Sequence, residues 1–363
     1  MPQNERYIRQ MILPGFGLVS QDKLRSAKVL IVGMGGLGCP ALQYLVAAGV
    51  GKIGIMDADH ISASNLHRQL LFNASEIGQN KVVVAATKMN QLDNAALVDS
   101  YPFTLNKQNA LEIIKNYDLV IDGTDNFSAK YLINDACVLL NKPWVYGAVS
   151  RYQGQLCVFN LAEPGTPAIN YRDLFPVAPG SGEIKTCEET GVIGVLPGII
   201  GTMQAAEAIK LITGLGKLIY GRLFNYDLLR AGSYEIVIAK QDNPLIIDRD
   251  FFESMNYVED CVMEADGIEE INVATFNSLR TNPNVFVLDV RERHEYPAID
   301  FSDARIPMSE LQDSIAKLPE KEICIICHQG IRSVYAAQLI KSQKNLRVYS
   351  LKGGLTAYFK EAL

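Results

Sequence analysis

The residues best suited to chemistry lie in two glycine-punctuated turns. In the first, Gly33, Gly35, Gly36 and Gly38 stand in GMGGLG, a GxGxxG spacing directly after the apolar run KVLIV and directly before a helical pattern. A turn without side chains lets backbone N–H groups close on a polyphosphate, and the helix start behind it adds partial positive charge. Asp57 ends the next strand pattern about twenty residues later, where an acid accepts bonds from ribose hydroxyls. This spacing alone does not separate NAD from ATP. The segment DADHISASNLHRQLLF adds Asp59, Asn65, Arg68 and Gln69, and Lys81 and then GTDN, with Asp125 and Asn126, follow. Cations placed after a ribose-binding strand suit a triphosphate whose pyrophosphate is leaving. An aspartate at the carboxyl end of a parallel strand, such as Asp125, can hold Mg²⁺.

The second turn follows EICII and reads CHQGIRS, with Cys327, a glycine and Arg332 at short intervals. A loop of this length turns successive N–H groups inward and stabilises a thiolate or persulfide anion, with the next helix start and Arg332 adding to it. Cys324 and Cys327 form a CxxC without a second pair or nearby histidines, so Cys324 reads as strand core and not as a metal ligand. Cys187, in IKTCEETGVIG, is a further thiol, and the adjoining Glu188 and Glu189 disfavour its thiolate.

Both turns need elements to carry them. KVLIVGMGGLGCPALQYLVAAGVGKIGIMDAD alternates strand, turn, helix and strand, a βαβ unit with Pro40 in the first helical turn and Gly49 and Gly51 at the cap. DLVIDGTDN and PWVYGAVS read as further strands around a helix at 129–141, and YQGQLCVFN alternates as a half-exposed strand. Residues 162–182 are rich in Pro and Gly and read as a long crossing loop. A helix opens at Pro197, with Gly198, Gly201 and Ala205 allowing close packing and Gly214 ending it. VFVLDVRE, EICIICHQG and LRVYSLKGG read as three more strands. The fold class is α/β: a Rossmann-like doubly wound sheet over 1–245, a linker over 246–265, and a smaller α/β domain over 266–363.

Composition excludes several classes. The 363 residues are 48% hydrophobic with net charge -6 and no basic stripe, which argues against a nucleic-acid partner. MPQNERYIRQ lacks a signal-peptide pattern and the apolar run 192–201 is too short to cross a bilayer, so the expectation is a cytoplasmic chain without membrane contact. Seven cysteines, an odd number set mostly in apolar patterns, read as reduced thiols.

Through RYIRQ (6–10), GMGGLG (33–38), DAD (57–59), SNLHRQ (64–69), Lys81 and TDN, residues 1–240 resemble the ubiquitin-activating-like family of MoeB and ThiF proteins. The resemblance implies ATP with Mg²⁺, Asp57 on ribose, Arg68 and Lys81 on phosphates, and Asp125 on magnesium. It also implies a homodimer in which Arg9 reaches the partner's ATP. The implied substrate is the C-terminal glycine carboxylate of a small ubiquitin-like sulfur-carrier protein ending in Gly-Gly, with Cys187 placed to link to the carrier or its donor. The family's zinc tetrad of two CxxC pairs has no match: PAINYRD (167–173) and DNPLIID (242–248) stand near those places, and zinc is not expected.

The C-terminal domain resembles rhodaneses through LDVRE, CHQGIRS and LKGG, with ARIPMSEL (304–311) departing from the usual HIPGA. That likeness implies a persulfide on Cys327, loaded by a persulfide donor such as a cysteine desulfurase. Two other readings stay open here, an NAD-linked oxidoreductase with a redox-sensing tail and a non-catalytic carrier-binding scaffold. Molybdopterin, thiamine and thiolation routes share the same activation chemistry and are not distinguished.

Overall fold

Strands β1 (Lys28–Val32), β2 (Lys52–Met56), β3 (Leu97–Tyr101), β4 (Leu119–Asp122) and β5 (Trp144–Ser150) run parallel. Strands β6 (Gln153–Phe159), β7 (Arg222–Asp227) and β8 (Gly232–Val237) continue the sheet antiparallel, in the order β3-β2-β1-β4-β5-β6-β7-β8. The structure is a computed structural model that describes residues 5–93, 95–161, 168–176, 191–240, 245–257, 268–293, 295–328 and 330–361. It divides into two units, Met1–Val258 and Glu259–Leu363. Both faces of β1, β2 and β4 are covered, which is why they read as apolar runs, whereas the edge strand β3 is only partly buried. Val29, Ile31, Ile53 and Ile55 enter one core, and Leu30, Val32, Met56 and Val120 the other. Strand order reverses between β1 and β4, so the turns after those two strands border a crevice at their carboxyl ends.

The helix Gly38–Ala48 has Pro40 in its first turn and ends at Gly49, left-handed at φ 88°. Gly51 does not share in that cap. Its added Cβ would stand 1.8 Å from the Arg25 carbonyl oxygen, so close backbone approach is what requires glycine there. The helix Val195–Thr213 begins two residues before the expected Pro197 and ends at Gly214, φ 79°. It is long and apolar enough by composition to cross a bilayer, unlike the shorter run read from sequence. Its Ile200, Ala205 and Ala208 are buried within the unit. Of its small residues, Gly201 lies under the Leu37 carbonyl, 2.2 Å from an added Cβ, whereas Gly198 meets nothing within 4 Å. Strand β6 is less exposed than its alternation suggests, since Leu156, Cys157, Val158 and Phe159 are all buried.

The segment read as linker from 246 is partly folded into the first unit. Asp248 caps the helix Arg249–Ser254 by accepting from Phe251 N at 2.8 Å, and Phe252 is fully buried in the core. Tyr257 Oη donates to Asp135 Oδ2 at 2.7 Å. The same buried carboxylate takes Arg172 Nε and Nη2 at 2.8 and 2.7 Å, and the Arg172 guanidinium lies over the rings of Tyr131 and Phe251. Thus residues 168–173, which hold no thiol pair, are fastened by an ion pair and by stacking of Arg172 on aromatic rings. Burial outweighs the opposing arginine charge and keeps the Tyr131 phenol up at about 12. Most of the crossing loop expected at 162–182 lies outside the described residues.

In the second unit β9 (Glu269–Ile271), β10 (Val285–Asp289), β11 (Ala304–Arg305), β12 (Glu322–Ile326) and β13 (Val348–Leu351) form one parallel sheet, ordered β11-β10-β12-β13-β9. Three of the five were expected. The other two are three and two residues long, too short to display an alternation. Cys324 is fully buried beside Tyr349 and Leu351, and burial pushes its thiol up to about 12, in keeping with a core residue.

Candidate functional site

At the carboxyl end of β1 the glycine turn is set by close approach. Gly33 is left-handed at φ 94°, and an added Cβ would stand 2.6 Å from the Gly123 carbonyl. A Cβ on Gly38 would meet the Gly33 carbonyl at 1.9 Å, and one on Gly36 would meet Pro197 Cβ at 2.9 Å. Gly35 is the open member, its nearest neighbour being Gln69 Nε2 at 3.9 Å. Packing thus demands three of the glycines, and the fourth leaves the turn accessible to a ligand.

Asp57, at the end of β2, accepts from Met34 N at 2.7 Å and Asp59 N at 2.8 Å, tying its strand to the glycine turn. Burial raises its pKa, against the Lys81 charge and these two N–H bonds. Lys81 opens the helix Lys81–Leu92, whose Asn80 cap accepts from Val82 N and Val83 N. The lysine is 3% exposed, and its Nζ donates to Asp59 Oδ2 at 2.8 Å and lies 3.8 Å from Asp57 Oδ2. A buried cation this close to the glycine turn is held ready for a more strongly charged anion.

Arg68 donates to Asn65 Oδ1 at 2.7 Å and to the Ser64 carbonyl at 3.2 Å, and its Cγ lies 3.5 Å from an added Cβ on Gly36. Gln69 is 3% exposed and its Oε1 has no hydrogen-bond partner. An orphaned acceptor beside an open glycine turn fits a ligand that brings donors. At the end of β4, Asp125 is exposed, while Asn126 Oδ1 accepts from Ala129 N at 2.8 Å and caps the helix Phe127–Leu139. Asn126 therefore keeps its amide N–H groups and one acceptor position of Oδ1 for a ligand.

Arg9 is exposed on the short helix Ile8–Met11. Cys187 lies outside the described residues. No cluster of three or more His, Cys, Asp or Glu side chains suited to a metal occurs among the described residues. Magnesium bound with a nucleotide needs only one or two carboxylates besides phosphate oxygens, a demand that Asp125 fits.

Sequence reading missed the support beneath this crevice. Asp122, fully buried, accepts from Lys130 Nζ at 2.6 Å and from Thr124 N and Oγ1 at 2.9 and 2.6 Å. Lys130 also donates to the carbonyls of Thr124 and Gly147, each at 3.0 Å. A buried ion pair thereby fixes the turn that carries Asp125. The two residues sit eight positions apart across a strand end and a helix, and no local periodicity links them.

In the second unit Cys327 follows the central strand β12 and is 1% exposed. Gly330 N donates to Cys327 Sγ at 3.1 Å, and Gly330 is left-handed at φ 92°. A Cβ on Gly330 would stand 2.6 Å from Gly353 N, so the LKGG segment closes the loop from behind. The thiol also lies 3.4 Å from Ser333 Oγ, which donates to the Gly330 carbonyl and accepts from Ser350 Oγ, both at 2.8 Å. The helix Ile331–Gln343 starts directly after Gly330. Arg332, expected to help stabilise a sulfur anion, is paired with an acid. Its Nη1 and Nη2 donate to the two oxygens of Glu295 at 2.5 and 2.7 Å, so its charge is already balanced. Burial alone would raise the Glu295 pKa, but the Arg332 bonds and Glu292 N hold its carboxyl down at about 2.

Two family models match this chain, the ThiF family over residues 7–245 and the rhodanese-like domain over residues 272–361. The chain belongs to the ThiF family. The probable adenylyltransferase/sulfurtransferase MoeZ of Mycobacterium tuberculosis is 36% identical over 367 residues, covering 98% of this chain and 93% of that protein. Adenylyltransferase and sulfurtransferase MOCS3-1 of Zea mays is 35% identical over 98% of this chain and 81% of its own length. The sulfur carrier protein adenylyltransferase of Thermus thermophilus is 46% identical over 65% of this chain and 88% of its own length. Escherichia coli MccB shares the fold at TM-score 0.57 and 20% identity, over 66% of this chain and 73% of that one. The ThiF match ends before the helix Arg249–Ser254, which the first unit nevertheless buries through Phe252.

Proposed function

We propose that this ThiF-family chain uses ATP to adenylate the C-terminal glycine carboxylate of a small ubiquitin-like sulfur-carrier protein, and then replaces AMP with sulfur carried as a persulfide on Cys327. The observation that carries this reading is the pairing, in one chain, of an open glycine turn backed by buried Lys81 with a buried thiol that accepts an N–H bond from Gly330. Relatives named for adenylyl and sulfur transfer support it.

In the first step a carrier carboxylate oxygen attacks the α-phosphorus, and the bond to the β-phosphate oxygen breaks to release pyrophosphate. Lys81 and Arg68 balance the charge that develops, while Asp57, fixed by Met34 N and Asp59 N, orients the ribose. Magnesium held at Asp125 would neutralise phosphate oxygens. In the second step the outer sulfur of the Cys327 persulfide attacks the acyl carbon and AMP leaves, giving an acyl disulfide. A second thiol, assigned to Cys187, then breaks its S–S bond, releasing a thiocarboxylate and forming a disulfide with Cys327. The reading includes a cysteine-desulfurase-type persulfide donor, a homodimer in which Arg9 serves the partner's site, and a cytoplasmic location.

The test separates the two sites. Asp125→Ala should lower carrier-dependent ATP–pyrophosphate exchange by about a hundredfold or more. Cys327→Ala should keep exchange but yield no carrier with sulfur in place of oxygen by intact mass spectrometry. Loss of exchange in the cysteine variant would overturn the division of labour.

A further inference from the structure

Arg332 stands in the first turn of the helix after the Cys327 loop, where a free guanidinium would attract a sulfur donor bearing an oxyanion. Here both its terminal nitrogens are bonded to the Glu295 carboxylate. That carboxylate is itself built into place: Glu292 N donates to Glu295 Oε1 at 2.8 Å, Glu295 N donates to the Glu292 carbonyl at 3.0 Å, and Arg305 Nη2 donates to the Glu295 carbonyl at 3.0 Å. The Glu295 and Arg332 side chains are each only 20% exposed. Strong depression of the Glu295 pKa keeps the carboxylate ionised at neutral pH. With its bidentate face taken by the Glu295 carboxylate, Arg332 offers a dianionic donor no net positive charge, where a bare arginine would have offered a bidentate partner.

We propose that Glu295 is a specificity-determining residue that turns Cys327 away from thiosulfate and toward persulfides, donors with no oxyanion attached to the transferred sulfur. This rests on the reading of Cys327 as the sulfur acceptor. In the favoured transfer the Cys327 thiolate attacks the outer sulfur of R–S–SH. A bond forms from Sγ to that sulfur, the donor's S–S bond breaks, and its electron pair leaves on R–S⁻ while the hydrogen stays with the transferred sulfur. In the disfavoured transfer the same attack on thiosulfate would expel sulfite. Neither step needs an external oxidant or reductant.

The experiment loads the full-length protein with thiosulfate or with the persulfide of N-acetylcysteamine, which has neither carboxylate nor sulfonate. The gain of one sulfur is followed by intact mass spectrometry, with Cys327→Ala as the reference. The quantity read is the ratio of the two loading rate constants within each protein, which cancels any loss of folded material. Glu295→Gln should raise the thiosulfate-to-persulfide ratio by about tenfold or more. An unchanged or lower ratio in Glu295→Gln would overturn the proposal. Loading of Cys327→Ala equal to wild type from both donors would instead overturn the assignment of Cys327.

Discussion

Glu295 and Arg332 show how a side chain's role depends on a partner that sequence places far away. Arg332 was legible as part of the glycine-containing turn because it stands close to Cys327 in the chain. Glu295 was not, since it reaches Arg332 only through the fold. The same holds for Asp122 with Lys130, for Ser350 behind Ser333, and for Gln204, which donates to the carbonyls of Asp122 and Val145. Local spacing, by contrast, pointed to Gly33 to Gly38 and to Cys327 as candidates, because a turn between a strand and a helix is written in consecutive residues.

The Glu295 pair also makes stability depend on pH. The carboxyl is held at about 2 in the fold against an ordinary 4.5, so its contribution is complete above about pH 4.5 and is lost as pH falls toward 2. Discounted for partial exposure, Glu295→Gln should cost about 1–2 kcal/mol at pH 6 in urea unfolding. The gap should shrink by more than half near pH 3, and a constant gap would contradict an ionised pair.

Among the elements, the helix Val195–Thr213 separates glycines that matter from one that does not. Gly201 has the Leu37 carbonyl 2.2 Å from an added Cβ, while Gly198 faces open space. Alanine at 198 removes helix-disfavouring backbone freedom and should stabilise by about 0.5–1 kcal/mol. Alanine at 201 must push two backbones apart and should destabilise by about 1–3 kcal/mol. Thermal unfolding of the two variants should shift in opposite directions. Element type was legible for the long parallel strands and for this helix, where burial on both faces or one apolar stripe repeats. It was not legible for β9 and β11, whose few residues pair only because β13 and β10 offer them an edge.

At the scale of the molecule, two successive α/β patterns pointed to two units, and the stretch read as a linker from 246 holds residues that the first unit buries. Phe252 and Tyr257 belong to the first unit because one fills its core and the other completes the bonds around Asp135. A charged, weakly periodic stretch hides such anchors, since single aromatic residues leave no pattern. Phe252→Ala should destabilise that unit by about 3–5 kcal/mol. Hydrogen exchange should then rise in the helix Phe127–Leu139 and in β4 and β5, with β10, β12 and β13 unaffected.

Cys327 is 1% exposed at the centre of its sheet. A sulfur atom stored on so sheltered a thiol is poorly accessible to the small reductants that strip open persulfides in moments. The cargo should therefore outlive its carrier-free counterparts in solution, and its release becomes a matter of which molecule can reach inside.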